Sequence, residues 1–128
     1  MKKRVTGIGG IFFKTEDPKK TKDWYRDHLG FNTDDYGCTF WWKDQEGNDC
    51  STQWSPFKDD TTYFAPGKKE FMMNFRVENL TELLEILKNE GVTVIDKIEE
   101  YEYGKFGWIV DPEGNKIELW EPVDKAFV

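Results

Sequence analysis

Gly104-Lys-Phe-Gly-Trp-Ile-Val-Asp-Pro-Glu-Gly-Asn-Lys-Ile-Glu-Leu-Trp-Glu-Pro122 is the stretch on which the fold turns. Proline presets φ and glycine tolerates positive φ. Asp111-Pro112-Glu113-Gly114-Asn115 therefore reads as a tight turn between a strand at Phe106 to Val110 and another at Lys116 to Trp120. The pattern also occurs upstream, where Trp41-Trp42-Lys43 runs into Asp44-Gln45-Glu46-Gly47-Asn48 and then into an alternating run ending Trp54-Ser55-Pro56. Asp-x-Glu-Gly-Asn followed by Trp-x-Pro thus occurs twice, with one extra residue in the first copy.

The two turns start about 67 residues apart, and two copies indicate a duplicated supersecondary unit, too few for a solenoid. Phe13-Lys14-Thr15-Glu16-Asp17 precedes one helical pattern and Phe75-Arg76-Val77-Glu78-Asn79 precedes another. Each half is expected to run strand, helix, then strands, an α+β arrangement.

In the first half, Val5 to Phe13 is strand-like, and Gly7, Gly9 and Gly10 interrupt its side chains where a backbone or a ligand can approach closely. Period two places Gly10, Phe12 and Lys14 on one face. Asp17-Pro18 supplies an N-cap and a first helical proline, Gly30 stops the helix, and Trp24, Tyr25 and Leu29 are its expected inward residues. His28, the only histidine, falls near the helix end and is assigned a structural or solvated role, which excludes any site needing two histidines. Phe31 to Tyr36 and Cys38 to Lys43 read as strands, and Asp49 to Trp54 closes a hairpin.

In the second half, Phe71 to Val77 is a strand with Met72, Asn74 and Arg76 on one face. Asn79 or Thr81 caps a helix striped by Leu80, Leu83, Leu84 and Leu87. Val92 to Glu99 is a strand, and Glu99 to Gly104 an acidic, tyrosine-bearing loop. Between the halves, Ser55 to Lys69 is irregular and carries Phe57, Tyr63 and Phe64, which either fold over a pocket or pin the linker down.

With 128 residues, 38% hydrophobic and 34% charged, the chain has the composition of one globular domain with its own core. No apolar run nears the ~18 residues of a membrane span, and the N-terminus lacks a signal-peptide pattern, so a cytoplasmic location is expected. A net charge of −7 argues against nucleic acid as a partner and tolerates a cationic ligand. Cys38 and Cys50 flank a hairpin whose symmetry puts Cys50 opposite Trp42, so both are expected as free thiols. Six tryptophans exceed what a small core needs, and a concave surface lined with indoles is a natural small-molecule site.

Gly10-Ile-Phe-Phe-Lys-Thr-Glu-Asp17, Trp24-Tyr-Arg-Asp-His-Leu-Gly-Phe31, Phe75-Arg-Val-Glu-Asn-Leu80 and Asp111-Pro-Glu-Gly-Asn-Lys-Ile-Glu-Leu-Trp120 together resemble the vicinal oxygen chelate superfamily. That superfamily includes glyoxalase, bleomycin-resistance and extradiol-dioxygenase proteins, and the likeness spans about residues 5 to 122. It implies one domain over residues 1–128 made of two tandem βαβββ modules (about 5–56 and 70–122, linked by about 57–69), with sheets curled into a half-barrel around a cleft. It also implies a homodimer, and in the metalloenzymes of the family a divalent cation held from the opening and last strands of each module. Carried over by the motifs, those positions fall on Gly10, Ser51 or Thr52, Met72 and Glu118. One carboxylate among four positions is too few donors, so no cofactor is expected and a divalent metal is disfavoured.

The expected function is therefore a glyoxalase/bleomycin-resistance-like protein that binds or sequesters a small organic molecule, planar or cationic. Its cleft would be lined by Phe12, Trp54, Met72, Asn74, Tyr103 and Trp120, with Glu118 orienting the guest. An alternative is a metal-independent lyase or isomerase using Glu118 as acid/base, with Tyr103 or Lys105 polarising a carbonyl. A plain salt bridge from Glu118 to Lys14 or Arg76 competes with that role. A weaker alternative keeps a metal-dependent glyoxalase-type lyase with ligands from Glu99, Glu102 or Glu121.

Overall fold

The computed structural model describes residues 4–127 and contains strands β1 (Val5–Thr15), β2 (Cys38–Lys43), β3 (Asp49–Lys58), β4 (Phe71–Val77), β5 (Thr93–Tyr101), β6 (Gly104–Val110) and β7 (Lys116–Pro122). Helices α1 (Pro18–Leu29) and α2 (Leu80–Asn89) follow the opening strand of each half, and a short 3-10 turn, Asp124–Phe127, ends the described chain. All seven strands join one open mixed sheet in the order β2-β3-β1-β4-β7-β6-β5. β1 pairs parallel with β3 and β4 parallel with β7, while β1 and β4 run antiparallel where the halves meet.

The two Asp-x-Glu-Gly-Asn turns share one hydrogen-bonded geometry. Asp44 Oδ1 accepts from the N–H groups of Glu46 and Asn48, both at 2.9 Å, and Asp111 Oδ1 accepts from those of Glu113 and Asn115 at the same distance. Gly47 and Gly114 take φ of 83° and 82°, which the absence of a Cβ permits. Cys50 pairs with Trp42, as the hairpin symmetry predicts, and both cysteines are buried free thiols.

The first half departs from the expected βαβββ order. Phe31 to Tyr36 forms no strand beyond a single bridge from Thr33 to Cys38, because Asp34 Oδ1 takes the N–H groups of Tyr36 and Gly37 and bends the chain out of register. The irregular linker starts later than expected, since Ser55 to Lys58 continue β3.

Both helices lie on the sheet face opposite the cleft. Asn79 caps α2 by accepting from Glu82 N–H, and Leu80, Leu83 and Leu84 bury against Val77 and Leu119, each fully buried leucine contributing about 2 kcal/mol. Gly107 permits the close packing: a Cβ there would stand 2.7 Å from Leu84 Cδ1. Asp17 caps α1 and Gly30 ends it with φ of 73°. Of the three residues expected to face inward, Tyr25 packs on Trp54 with ring centroids 4.5 Å apart, while Trp24 and Leu29 are more than half exposed. His28 lies against Trp24 in the exposed last turn.

Candidate functional site

On the opposite face, the strand registers place one residue from each central strand in a row. Gln53 pairs with Gly10, Gly10 with Asn74, Asn74 with Glu118 and Glu118 with Trp108. Glu118 is 2% exposed and accepts three hydrogen bonds: Asn74 Nδ2 at 2.6 Å on Oε1, Trp108 Nε1 at 2.9 Å on Oε2, and the Tyr63 hydroxyl on Oε2. All three donors are neutral. Burial pushes the Glu118 carboxyl above its ordinary range, and the three hydrogen bonds with the nearby Lys116 charge only partly counter it. Burial beside this carboxylate also drives the Tyr63 hydroxyl well above the usual phenol range, so it stays a donor.

Tyr63 reaches Glu118 because the linker folds back over the sheet. Phe64 is buried against Phe12 and Met72, the Tyr63 ring stacks on Phe57 at 6° between planes, and Lys116 Nζ donates to the Tyr63 carbonyl at 2.8 Å. The segment thus does both things expected of it: Phe57 and Tyr63 line the cleft, while Phe64 pins the linker to the core. Together these elements enclose a cleft of about 650 Å³. Phe12, Phe57, Tyr63, Tyr103, Phe106, Trp120 and Phe127 give it aromatic walls, Gln53, Asn74 and Ser55 are polar, and Asp34, Glu102 and Glu118 are acidic. Among the described residues lining it there is no lysine or arginine.

Of the sequence candidates, Phe12, Asn74, Tyr103, Glu118 and Trp120 all line the cleft. Trp54 does not: it lies under α1 between Phe13, Tyr25 and Phe31. Its echo of Trp120 misleads because the extra residue of the first copy reverses strand parity, turning Trp54 to the helix face and Gln53 to the cleft. Met72 is 1% exposed and packs on Phe12 and Phe64 beneath the wall without reaching the cavity. The positions level with Glu118 are accordingly Gln53 and Asn74, two residues or fewer from Ser51, Thr52 and Met72. Lys105 pairs with Glu121 on the helix face, away from the cleft.

The expected salt bridge of Glu118 to Lys14 or Arg76 is absent. Lys14 Nζ sits over the Phe64 ring, and the Arg76 guanidinium lies between the Trp42 and Trp120 rings and pairs with Asp124 at 2.6 Å. Burial alone would raise the Asp124 carboxyl, but Arg76 and Ser51 hold it below the usual carboxylate range. Sequence reasoning missed Tyr63 as a Glu118 partner, Gln53, and Asp124. The first was visible only as an aromatic in the linker, and Asp124 falls beyond the repeat.

The donor set does not fit the divalent cation of the fold family. Gly10 has no side chain, Gln53 Oε1 accepts from the Thr39 hydroxyl at 2.7 Å, and Glu118 has two donors on Oε2, so Oε1 is the one carboxylate oxygen left with room at these positions, too few donors for a cation. Asn74 Oδ1 is a buried acceptor without a partner, but it faces Gly9, where a Cβ would stand 2.2 Å away. No group of three His, Cys, Asp or Glu converges among the described residues. Glu121, offered by the weaker alternative, accepts from Leu80 N–H at the α2 N-terminus, and Glu99 accepts from the Tyr101 hydroxyl.

A seven-stranded mixed sheet with a cleft of about 650 Å³ on one face and two helices on the other defines a class of α+β protein. The family profile of the Glyoxalase/Bleomycin resistance protein/Dioxygenase superfamily matches residues 7–119, and the chain belongs to that superfamily. Among solved structures it is similar to a methylmalonyl-CoA epimerase from Mycobacterium tuberculosis, at 22% identity over 99% of this chain and 95% of that one, TM-score 0.63. A methylmalonyl-CoA epimerase from Streptomyces coelicolor, in complex with 2-nitronate-propionyl-CoA, matches at 16% identity over 93% and 99%, TM-score 0.69. At such identities the likeness is one of fold. A sequence search among curated proteins gave no match. No helix of the described residues is long and apolar enough to cross a membrane.

Proposed function

We propose that the cleft binds a planar, cationic small organic molecule and does so without a metal. The observation that carries this is the lining: aromatic rings on several sides, three acids, and no basic residue among the described residues facing the cavity. Rings supply stacking and cation–π attraction of about 0.5–2 kcal/mol each, strongest where water is excluded. Glu118 supplies the counter-charge at the floor, held in one orientation by Tyr63, Asn74 and Trp108. Oε2 already takes two of these bonds and Oε1 one, which leaves Oε1 room for a donor from the guest.

Titration with N-methylquinolinium and with naphthoate, two flat bicyclic ions of opposite charge, tests the proposal by quenching of tryptophan fluorescence. Saturable binding of the cation at least tenfold tighter than that of the anion is expected. Preference for the anion overturns the reading.

A second reading, acid/base chemistry on a carbonyl compound at Glu118, draws support from the raised carboxyl pKa. It requires turnover of an α-carbonyl substrate that Glu118→Gln abolishes and Trp120→Ala merely weakens.

A further inference from the structure

We propose that Arg76 and Ser51 form a carboxylate-binding subsite, for which Asp124 is a tethered competitor. Four hydrogen bonds converge on the Asp124 carboxylate: Arg76 Nη1 at 2.7 Å, Arg76 Nη2 at 2.6 Å, Ser51 N at 3.0 Å and Ser51 Oγ at 2.7 Å. The paired guanidinium bonds have the fork geometry that favours carboxylates. The Trp42 and Trp120 rings flank the guanidinium at 5.5 and 5.4 Å, and its Nη1 also donates to Ser51 O at 3.0 Å.

Host and guest differ in how they are held. Every donor comes from β3 or β4, inside the sheet, and Arg76 is 5% exposed. Asp124 comes from a single 3-10 turn outside both repeats, where Lys125 and Ala126 are exposed. The receptor is therefore built without the turn that fills it. Exchanging one carboxylate for another conserves all four charge-assisted bonds. What the newcomer must overcome is the tether, an effective concentration on the order of millimolar or more, and the contacts of Phe127 with Trp120 and Tyr103.

Ala126 and Phe127 line the main cleft, so displacing the turn joins the subsite to it. Arg76 lies two residues along β4 from Asn74, about 7 Å at strand rise. The subsite, reached only once the turn is displaced and so distinct from the cation-preferring cleft of the closed chain, thus takes a carboxylate linked to a flat ring. The carboxylate replaces that of Asp124, and the ring takes the place of Phe127 against Trp120.

Calorimetry on the full chain with hydrocinnamate, and with hydrocinnamyl alcohol as the uncharged control, tests the subsite. In Asp124→Ala, hydrocinnamate is expected to bind at least tenfold tighter than in wild type and tenfold tighter than the alcohol. Adding Arg76→Gln should erase that preference. Equal affinity in wild type and Asp124→Ala, or retention of the preference in the double variant, overturns the proposal. If Asp124→Ala fails to fold, amide NMR on wild type decides: saturating hydrocinnamate should shift Ser51 and residues 124–127 together, and an unmoved Ser51 amide overturns it.

Discussion

Asp124→Ala is expected to cost about 3 kcal/mol of folding stability. The truncation leaves the Arg76 guanidinium buried without its ion-pair partner and strips the Asp124 acceptor from both Ser51 donors. Removing one member of a buried ion pair costs roughly 3–5 kcal/mol. The Asp124 side chain is 16% exposed and lies in a surface turn, so water reaches the vacated position and the lower end applies. For a domain of this size the loss corresponds to about 10 °C in Tm and leaves the chain folded, since small domains hold about 5–15 kcal/mol.

Urea unfolding followed by tryptophan fluorescence, to which the rings flanking Arg76 contribute, reads the effect. Arg76→Met in the Asp124→Ala background removes the orphaned charge and should recover about 1–2 kcal/mol. The Asp124 carboxyl is held below its ordinary range, so its contribution is complete above the unfolded-state pKa and disappears as pH falls through the folded one. The gap between wild type and variant should therefore narrow in acid. A loss under about 1 kcal/mol near pH 7, or strict additivity in the double variant, would refute the picture of a tightly bound internal carboxylate.

Gly9→Ala should cost about 1–3 kcal/mol by overpacking, since its Cβ would stand 2.2 Å from Asn74 Oδ1 and 2.9 Å from Trp120 Cε3; chemical denaturation measures this, and a neutral effect contradicts the packing. Trp54→Ala should lose about 3 kcal/mol yet leave N-methylquinolinium affinity within twofold, because Trp54 packs under α1. Trp120→Ala, which removes a cleft wall, should weaken that affinity at least tenfold. Glu118 titrates above its ordinary range, so the wild type loses stability as pH rises from the unfolded-state carboxyl pKa through the folded one. Glu118→Gln does not titrate there, and its stability relative to wild type should improve over that rise; the opposite slope in a pH series of melting curves would exclude a raised pKa.

Where sequence and structure agree, the signal was local. Asp44 and Asp111 sit in identical hydrogen-bonded turns because Asp-x-Glu-Gly-Asn carries its own acceptor, its positive-φ glycine and its closing asparagine. Asn79, the leucines of α2 and the pairing of Cys50 with Trp42 follow from capping, period and hairpin symmetry. The failures were of parity and distance. One added residue between Asp44 and Trp54 exchanges the two faces of β3, and strand pattern alone does not say where that residue sits. Arg76 and Asp124 are 48 residues apart, Tyr63 and Glu118 are 55 apart, and neither pair has a periodicity to announce it. In α1, Lys19, Lys20 and Lys22 leave so little apolar surface that the helix buries no residue fully, and its expected inward face shrinks to Tyr25.

The most direct test is a titration of N-methylquinolinium into wild type and Glu118→Gln, each in excess EDTA. Wild type should bind with the affinity it has without chelator, and Glu118→Gln should bind at least tenfold more weakly. Loss of wild-type binding in EDTA, or equal affinity in the two proteins, would contradict a metal-free cleft whose floor is set by one buried carboxylate.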